Sequence, residues 1–253
     1  MLTSIRGLAA ASFVLSTTLI ATPALADETD PPSDIEVSGN VALVSDYRFR
    51  GVSLSAGDPA IQGGIDIAHT SGFYVGTWGS SIEGGDAFGE MELDVYAGWG
   101  GDLAEGVSVD VGLLYYMYPS DGGGGIDDFN VNYWEPYASV TTGIGPAEAT
   151  FGVAYAWDQD SLGGDNLYLY TDLGTSLPGT PISLSAHLGY TDGVLAPPLL
   201  AGDLDDSGLD WSVGASATVL GGLEIGVQYV GVEGPSIDGF TDDAVVGTLA
   251  FSF

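Results

Sequence analysis

Arg48 and Arg50 are the only cations that follow residue 26, because the remaining basic residue is Arg6 and lysine is absent. Two residues apart on an extended strand, they share one face about 7 Å from each other. Asp46 and Asn40 fall on that same face, and Tyr47 and Phe49 take the other. Two chemistries fit this spacing. The pair either forms a positive spot where a permeating anion or carboxylate rests, or it enters an ion-pair network with Asp66 of the next strand and other acids facing the same way.

Those acids are numerous. Asp66, Glu90, Glu92, Asp94, Asp110 and Glu135 sit on the polar parity of segments whose other parity is apolar, as do Glu148, Asp172, Asp210 and Glu224. A wall of one sign concentrates counter-ions and repels anions, which points to a cation-preferring conduit; solvation of a wet interior is the plainer use of the same residues. Asp127 and Asp128 close Gly122-Gly123-Gly124-Gly125-Ile126, one copy of a Ca²⁺-binding G-G-x-G-x-D repeat. Such sites need stacked copies, so the segment reads as a loop with weak Ca²⁺ or Mg²⁺ affinity at most, and no cofactor is expected.

Catalysis finds little support. Cysteine is absent, and the histidines are His69, in a turn, and His187, beside Ser183 and Ser185. A lipase acting on membrane lipid needs its histidine outward with a serine opposite, whereas the alternation turns His187 inward. Glu90, Glu92 and Asp94 are same-strand neighbours without an aromatic platform, which suits a lining better than a glycosidase. The chain does not read as an enzyme.

The elements that must position these residues are strands. Period-two alternation recurs over 36–50, 59–69, 72–81, 90–100, 107–118, 130–140, 148–157, 166–174, 182–191, 209–219, 223–231 and 243–253. Met91, Leu93, Val95, Ala97 and Trp99, for example, oppose Glu92, Asp94 and Tyr96. Carboxylates cannot point into lipid, so they point into a barrel. The connections alternate between short turns such as Leu220-Gly221-Gly222 and longer acidic loops such as 192–208, as outer-membrane barrels require. Tyr47, Phe49, Tyr115, Tyr155, Trp157, Tyr190, Trp211 and Tyr229 fall near the external rim, and Trp99, Phe251 and Phe253 near the periplasmic one. Pro136 sits awkwardly inside a strand, and 72–81 and 130–140 carry apolar residues on both parities, which leaves their register open.

The ends agree. Arg6, the apolar run 7–20 and Ala24-Leu25-Ala26 form a secretory signal over 1–26. An acidic, Pro-containing segment spans 27–35, and the barrel 36–253. All 35 Asp and Glu follow residue 26, so after cleavage two arginines leave a charge of −33, which excludes nucleic acid as a partner. The last strand stops on Phe253 with Val245, Gly247, Leu249 and Phe251 on the same face, as a closing strand does. The fold expected is an all-β, antiparallel, up-and-down transmembrane β-barrel of about twelve strands.

Ser45-Asp46-Tyr47-Arg48-Phe49-Arg50-Gly51-Val52-Ser53, Gln62-Gly63-Gly64-Ile65-Asp66 and Gly72-Phe73-Tyr74-Val75-Gly76-Thr77-Trp78-Gly79-Ser80 resemble the TorF-type porin family. Glu92-Leu93-Asp94 and the VYAGW that follows extend the likeness over roughly 37–100, with Tyr133-Trp134-Glu135 as a later echo. The resemblance implies a bacterial outer-membrane barrel of porin function, without a substrate or catalytic residues. The absence of lysine departs from that family's pattern.

The reading that follows is a porin-like channel for passive diffusion of small hydrophilic solutes through an acid-lined, cation-preferring lumen. Both termini are periplasmic, lipid surrounds the wall, and Phe253 addresses the barrel-assembly machinery; a homo-oligomer is open. The rival is a non-conducting barrel, plugged by Tyr96, Tyr116, Tyr168, Tyr170 and the arginine network, whose acidic loops bind divalent ions, surface glycolipid or a protein.

Overall fold

A computed structural model describes residues 34–119 and 131–253. The expected leader 1–26, all but the end of segment 27–35, and the pair Asp127 and Asp128 lie outside these residues.

Twelve strands close into one antiparallel barrel: β1 (Ile35–Val44), β4 (Ala60–His69), β5 (Phe73–Ser81), β6 (Met91–Ala104), β7 (Val107–Met117), β8 (Tyr133–Ile144), β9 (Ala147–Gln159), β10 (Gly164–Ser176), β11 (Ile182–Gly193), β12 (Ser207–Val219), β13 (Leu223–Val232) and β14 (Ala244–Ser252). Two short strands, β2 (Arg48–Phe49) and β3 (Val52–Ser53), pair with each other outside that ring. Two single turns of helix, α1 (Gly85–Phe88) and α2 (Pro197–Leu200), lie in loops. Each barrel strand pairs with its sequence neighbour, so the only long-range seam is β1 against β14, from Asn40 opposite Ser252 to Val44 opposite Thr248. Phe253 extends the seam: its N–H and C=O bond the C=O and N–H of Gly39, each at 2.9 Å. A Cβ on Gly39 would collide with the Phe253 ring, so the closing aromatic rests on a bare backbone.

The outer face is apolar. Ile61, Ile65 and Ile67 on β4, Val95 on β6, Phe151 on β9, Leu188 on β11 and Ile225 and Val227 on β13 are all exposed. A continuous belt of this kind is far larger than the apolar patches of soluble proteins, and its natural medium is a bilayer. Among the described residues no helix is long and apolar enough to cross a membrane; the strands of the closed barrel do so.

The two awkward segments resolve simply. In β5, Tyr74 and Trp78 turn inward, while Phe73 and Val75 are exposed. In β8, the ladder to β9 begins only at Tyr137, so Pro136 meets no demand for an N–H on that side. The Gln159 side chain fills the gap: its Oε1 accepts from the Trp134 N–H and its Nε2 donates to the Trp134 C=O, both at 2.9 Å.

Among the strand boundaries that differ from expectation, the end of the first has consequences for the site. The first strand was expected to run through residue 50, yet β1 ends at Val44. Residues 45–59 instead turn into the barrel mouth, with β2 and β3 joined across Arg50 and Gly51. Both residues have positive φ, 47° and 79°, the pattern of a two-residue I′ hairpin, and the glycine is the natural second member. Arg50 and Gly51 therefore sit at the tip of an inward hairpin.

Candidate functional site

The inward hairpin changes what the two arginines touch. They do not share a strand face. Arg48 and Arg50 are each 8% exposed, and Tyr47, expected toward lipid, is 3% exposed. Phe49 likewise turns in, its ring edge-on to Tyr116 at 5.8 Å. Parity along a supposed strand failed here because the chain had already left the sheet.

Arg48 holds the hairpin to its own loop and to the final one. Its Nε donates to Asp46, its Nη1 to the Asp242 carbonyl at 2.7 Å, and its Nη2 to Asp242 Oδ1 at 3.2 Å. Asp46 also accepts from the Ser53 hydroxyl at 2.6 Å. Arg50 crosses the lumen to β8, where its Nη2 donates to both Glu135 oxygens at 2.8 and 2.7 Å. Its guanidinium lies over the rings of both Phe49 and Tyr168, 4.8 and 4.2 Å from their centroids. Such contacts favour a planar guanidinium over an ammonium. An ion-pair network thus exists, but Asp66 is not its partner: that carboxylate accepts from Tyr96.

Five inward acids are met by a phenol: Asp66 by Tyr96, and four more. Tyr47 donates to Glu92 at 2.7 Å, Tyr74 to Asp110 at 2.8 Å, Tyr116 to Glu135 at 3.1 Å and Tyr168 to Asp210 at 3.2 Å. The lumen is therefore a lattice of tyrosine–carboxylate bonds rather than a bare row of charge. Glu92, Asp94, Glu135 and Asp210 are buried in it, whereas Asp66 and Asp110 are half-buried. Glu90 stands apart: it precedes β6, in the loop, and is exposed. His187 faces inward, with Nδ1 2.6 Å from Asp172 and Nε2 2.9 Å from Asp210 and 2.8 Å from the Tyr168 hydroxyl.

The tyrosines lie flat because glycines let them. Tyr74 pairs across strands with Gly98, Tyr96 with Gly76, Tyr137 with Gly112 and Tyr170 with Gly152. In each pair a Cβ on the glycine would run into the ring. A ring covering a cross-strand glycine shields its backbone and leaves the barrel axis clearer than an upright ring would. Tyr74, Tyr133 and Tyr137 were not singled out from the sequence as lumen residues. The signal was present: a tyrosine and a glycine on inward parities of adjacent strands.

Beneath the hairpin remains a cavity of about 130 Å³, lined on one side by Arg50, Tyr168, Tyr170 and Asp210 and on the other by Gln62, Gln228 and Thr248. Of the residues expected to form one charge network, Asp46, Arg48, Arg50 and Glu135 line this cavity. Glu92 and Asp94 lie beside it under Tyr47, and Asp66 and Asp110 belong to the Tyr74–Tyr96–Tyr137 cluster. No cluster of three or more metal-ligating side chains occurs among the described residues.

Comparison with known proteins places this geometry. The fold matches a solved KdgM porin with a TM-score of 0.54 at 9% identity, covering 86% of this chain and 97% of that one. It matches a NanC porin with a TM-score of 0.55, also at 9% identity, covering 86% and 99%. At such identity the likeness is one of fold, a porin-type outer-membrane barrel. A sequence comparison with curated proteins finds no match. A family model does match, over residues 28–251, and it bears the description "Bacterial protein of unknown function (Gcw_chp)". This chain, a closed barrel with an inward hairpin and a tyrosine-lined lumen, belongs to the Gcw_chp family.

Proposed function

We propose that this chain is an outer-membrane channel, of the kind called TorF-type porins, that lets small hydrophilic solutes diffuse passively through a lumen narrowed by its own first loop. The observation that carries this reading is the cavity under the hairpin, where Arg50, Asp210, Gln62, Gln228 and Thr248 offer hydrogen-bonding groups among apolar neighbours such as Val44, Leu114 and Val246. Selection follows from size at the hairpin and from charge along the wall. Arg48 and Arg50 are each tied to carboxylates, and the sequence after residue 26 holds no other arginine or lysine to balance Asp66, Asp94 and Asp110. The lumen field is therefore negative and favours cations.

In this reading the leader exports the chain, both ends lie in the periplasm, and Phe253 with its apolar face serves barrel assembly. The loop carboxylates, Asp127 and Asp128 among them, hold Ca²⁺ or Mg²⁺ only weakly. Planar-bilayer recording tests the proposal. Single-channel steps with a reversal potential of cationic sign in a salt gradient are expected; anionic selectivity removes the acidic-lumen mechanism and leaves the channel.

One observation favours the rival, a closed structural barrel: Tyr116, Tyr133 and Tyr168 are buried in a cluster that also takes in Tyr47 of the inward loop. Absence of any conductance at molar salt, in barrels whose folding is verified, selects that reading.

A further inference from the structure

Two atoms in the lumen have no hydrogen-bond partner although their residues line the same cavity: Arg50 Nη1 and Asp210 Oδ2. Their residues are 8% and 2% exposed, so bulk solvent does not reach them. Tyr168 joins the two, because its ring lies 4.2 Å under the Arg50 guanidinium and its hydroxyl donates to Asp210 Oδ1 at 3.2 Å. Gly189 makes the meeting possible, since a Cβ there would strike both Asp210 Oδ2 and the Tyr168 hydroxyl. An unfilled donor over the face of Tyr168 and an unfilled acceptor beside its hydroxyl thus belong to neighbours of one aromatic ring. Tyr170 stacks on that ring at 5.6 Å, and Gln62, Ser212, Gln228 and Thr248 supply uncharged hydrogen-bonding groups to the same cavity.

Charge decides what fits. A carboxylate would satisfy Arg50 but would join Glu135, Asp210, Asp172 and Asp46 in the same cavity. A cation would satisfy Asp210 but would approach Arg48 and Arg50. Both charges are already answered, Arg50 by the two oxygens of Glu135 and Asp210 by Tyr168 and His187. What remains open is hydrogen-bonding valence, one donor and one acceptor. Adjacent hydroxyl groups satisfy both at once without adding charge, and the C–H face of a sugar ring lies well on a phenol.

We infer that this cavity is a binding site for a small uncharged polyol, of the size of a monosaccharide, held between Arg50 Nη1 and Asp210 Oδ2 against Tyr168 and Tyr170. The inference rests on the channel reading for its purpose, but not for its test.

Calorimetry on the folded barrel in detergent measures binding whether or not the barrel conducts. D-glucose is the probe, with alanine, acetate and ammonium as the zwitterionic, anionic and cationic comparisons. Saturable glucose binding in the millimolar range, ~4 kcal/mol, is expected, tighter than any of the three comparisons. Asp210→Asn keeps the Oδ1 contact and turns the open acceptor into a donor, so it should weaken glucose binding at least ~tenfold. Gly189→Ala, which intrudes on Asp210 and Tyr168, should do the same, whereas Leu204→Ser in the exposed 194–206 loop should not. Glucose binding that is absent, equal in Asp210→Asn, or weaker than that of alanine, acetate or ammonium overturns the site. Failure of the bilayer recordings, with glucose binding intact, would instead remove the channel.

Discussion

The lumen has two unlike halves. From β5 to β10 the wall carries Tyr74, Tyr96, Tyr116, Tyr133, Tyr137 and Tyr168; Tyr74, Tyr96, Tyr116 and Tyr168 donate to carboxylates, and Tyr74, Tyr96 and Tyr137 are seated on cross-strand glycines. From β11 to β14 the inward positions are mostly small: Ser183, Ser185, Ser212, Gly214, Ser216, Thr218, Gly226, Thr248 and Ala250. Both halves share one backbone architecture, so the difference is entirely one of side chains. The tyrosine half is a packed core turned inside a barrel. The small-residue half fills less of the lumen, and the hairpin spans the two, reaching Glu135 with Arg50 while Gly51 abuts Asp210 and Val232.

If the hairpin is latched to the tyrosine half, cutting that latch should have the largest effect. Arg50→Ala leaves Glu135 buried without its cation and should cost about 3–5 kcal/mol in urea unfolding from detergent, with a several-fold rise in conductance. The double variant Arg50→Ala/Glu135→Ala should recover much of that stability, since no lone buried charge remains. Unchanged stability in the single variant would mean the hairpin is not held this way.

A second contrast sets one half directly against the other. Gly112→Leu should cost about 1–3 kcal/mol, because the Tyr137 ring occupies the place of the new side chain. Ala250→Leu, facing the roomier half, should stay within about 0.5 kcal/mol yet reduce conductance. Equal costs at both positions would erase the distinction between the halves.

Smaller again is Tyr74→Phe. It removes the bonds to Asp110 and Tyr137 while keeping the ring over Gly98, and should cost about 1.5 kcal/mol by the same unfolding assay. The smallest effect expected is electrical. Asp110→Asn should shift the reversal potential toward zero by a few millivolts, because one charge among many is removed from the wall.

The strands were legible because a barrel in lipid imposes strict alternation: one parity must be apolar, so each inward acid in a strand declares its face. That argument placed Asp66, Glu92, Asp94, Asp110 and Asp210 inward, where the structure has them. It also turned Tyr47 and Phe49 outward, where the structure has them inside, and it put the inward Arg48 and Arg50 on a strand face rather than on a hairpin, since alternation continues past Val44 although the strand does not. The one local signal of the break was Arg50-Gly51, a plausible I′ tip, and it was outweighed by the aromatic pattern around it. The gap 158–165 between the expected strands also shrinks, because β9 runs on to Gln159 and β10 starts at Gly164, leaving a short turn.

The sequence by itself determined the strand count, the inward and outward faces, and a charge balance of three arginines against 35 acids. These follow from local periodicity and composition, which need no knowledge of partners. Only the tertiary structure decided which acid each arginine meets, that the first loop folds into the mouth, and that tyrosines and glycines are matched across strands. Those pairings join residues as far apart as Arg50 and Glu135 or Arg48 and Asp242. They depend on register and on a loop's path through the lumen, which alternation along a single strand cannot encode.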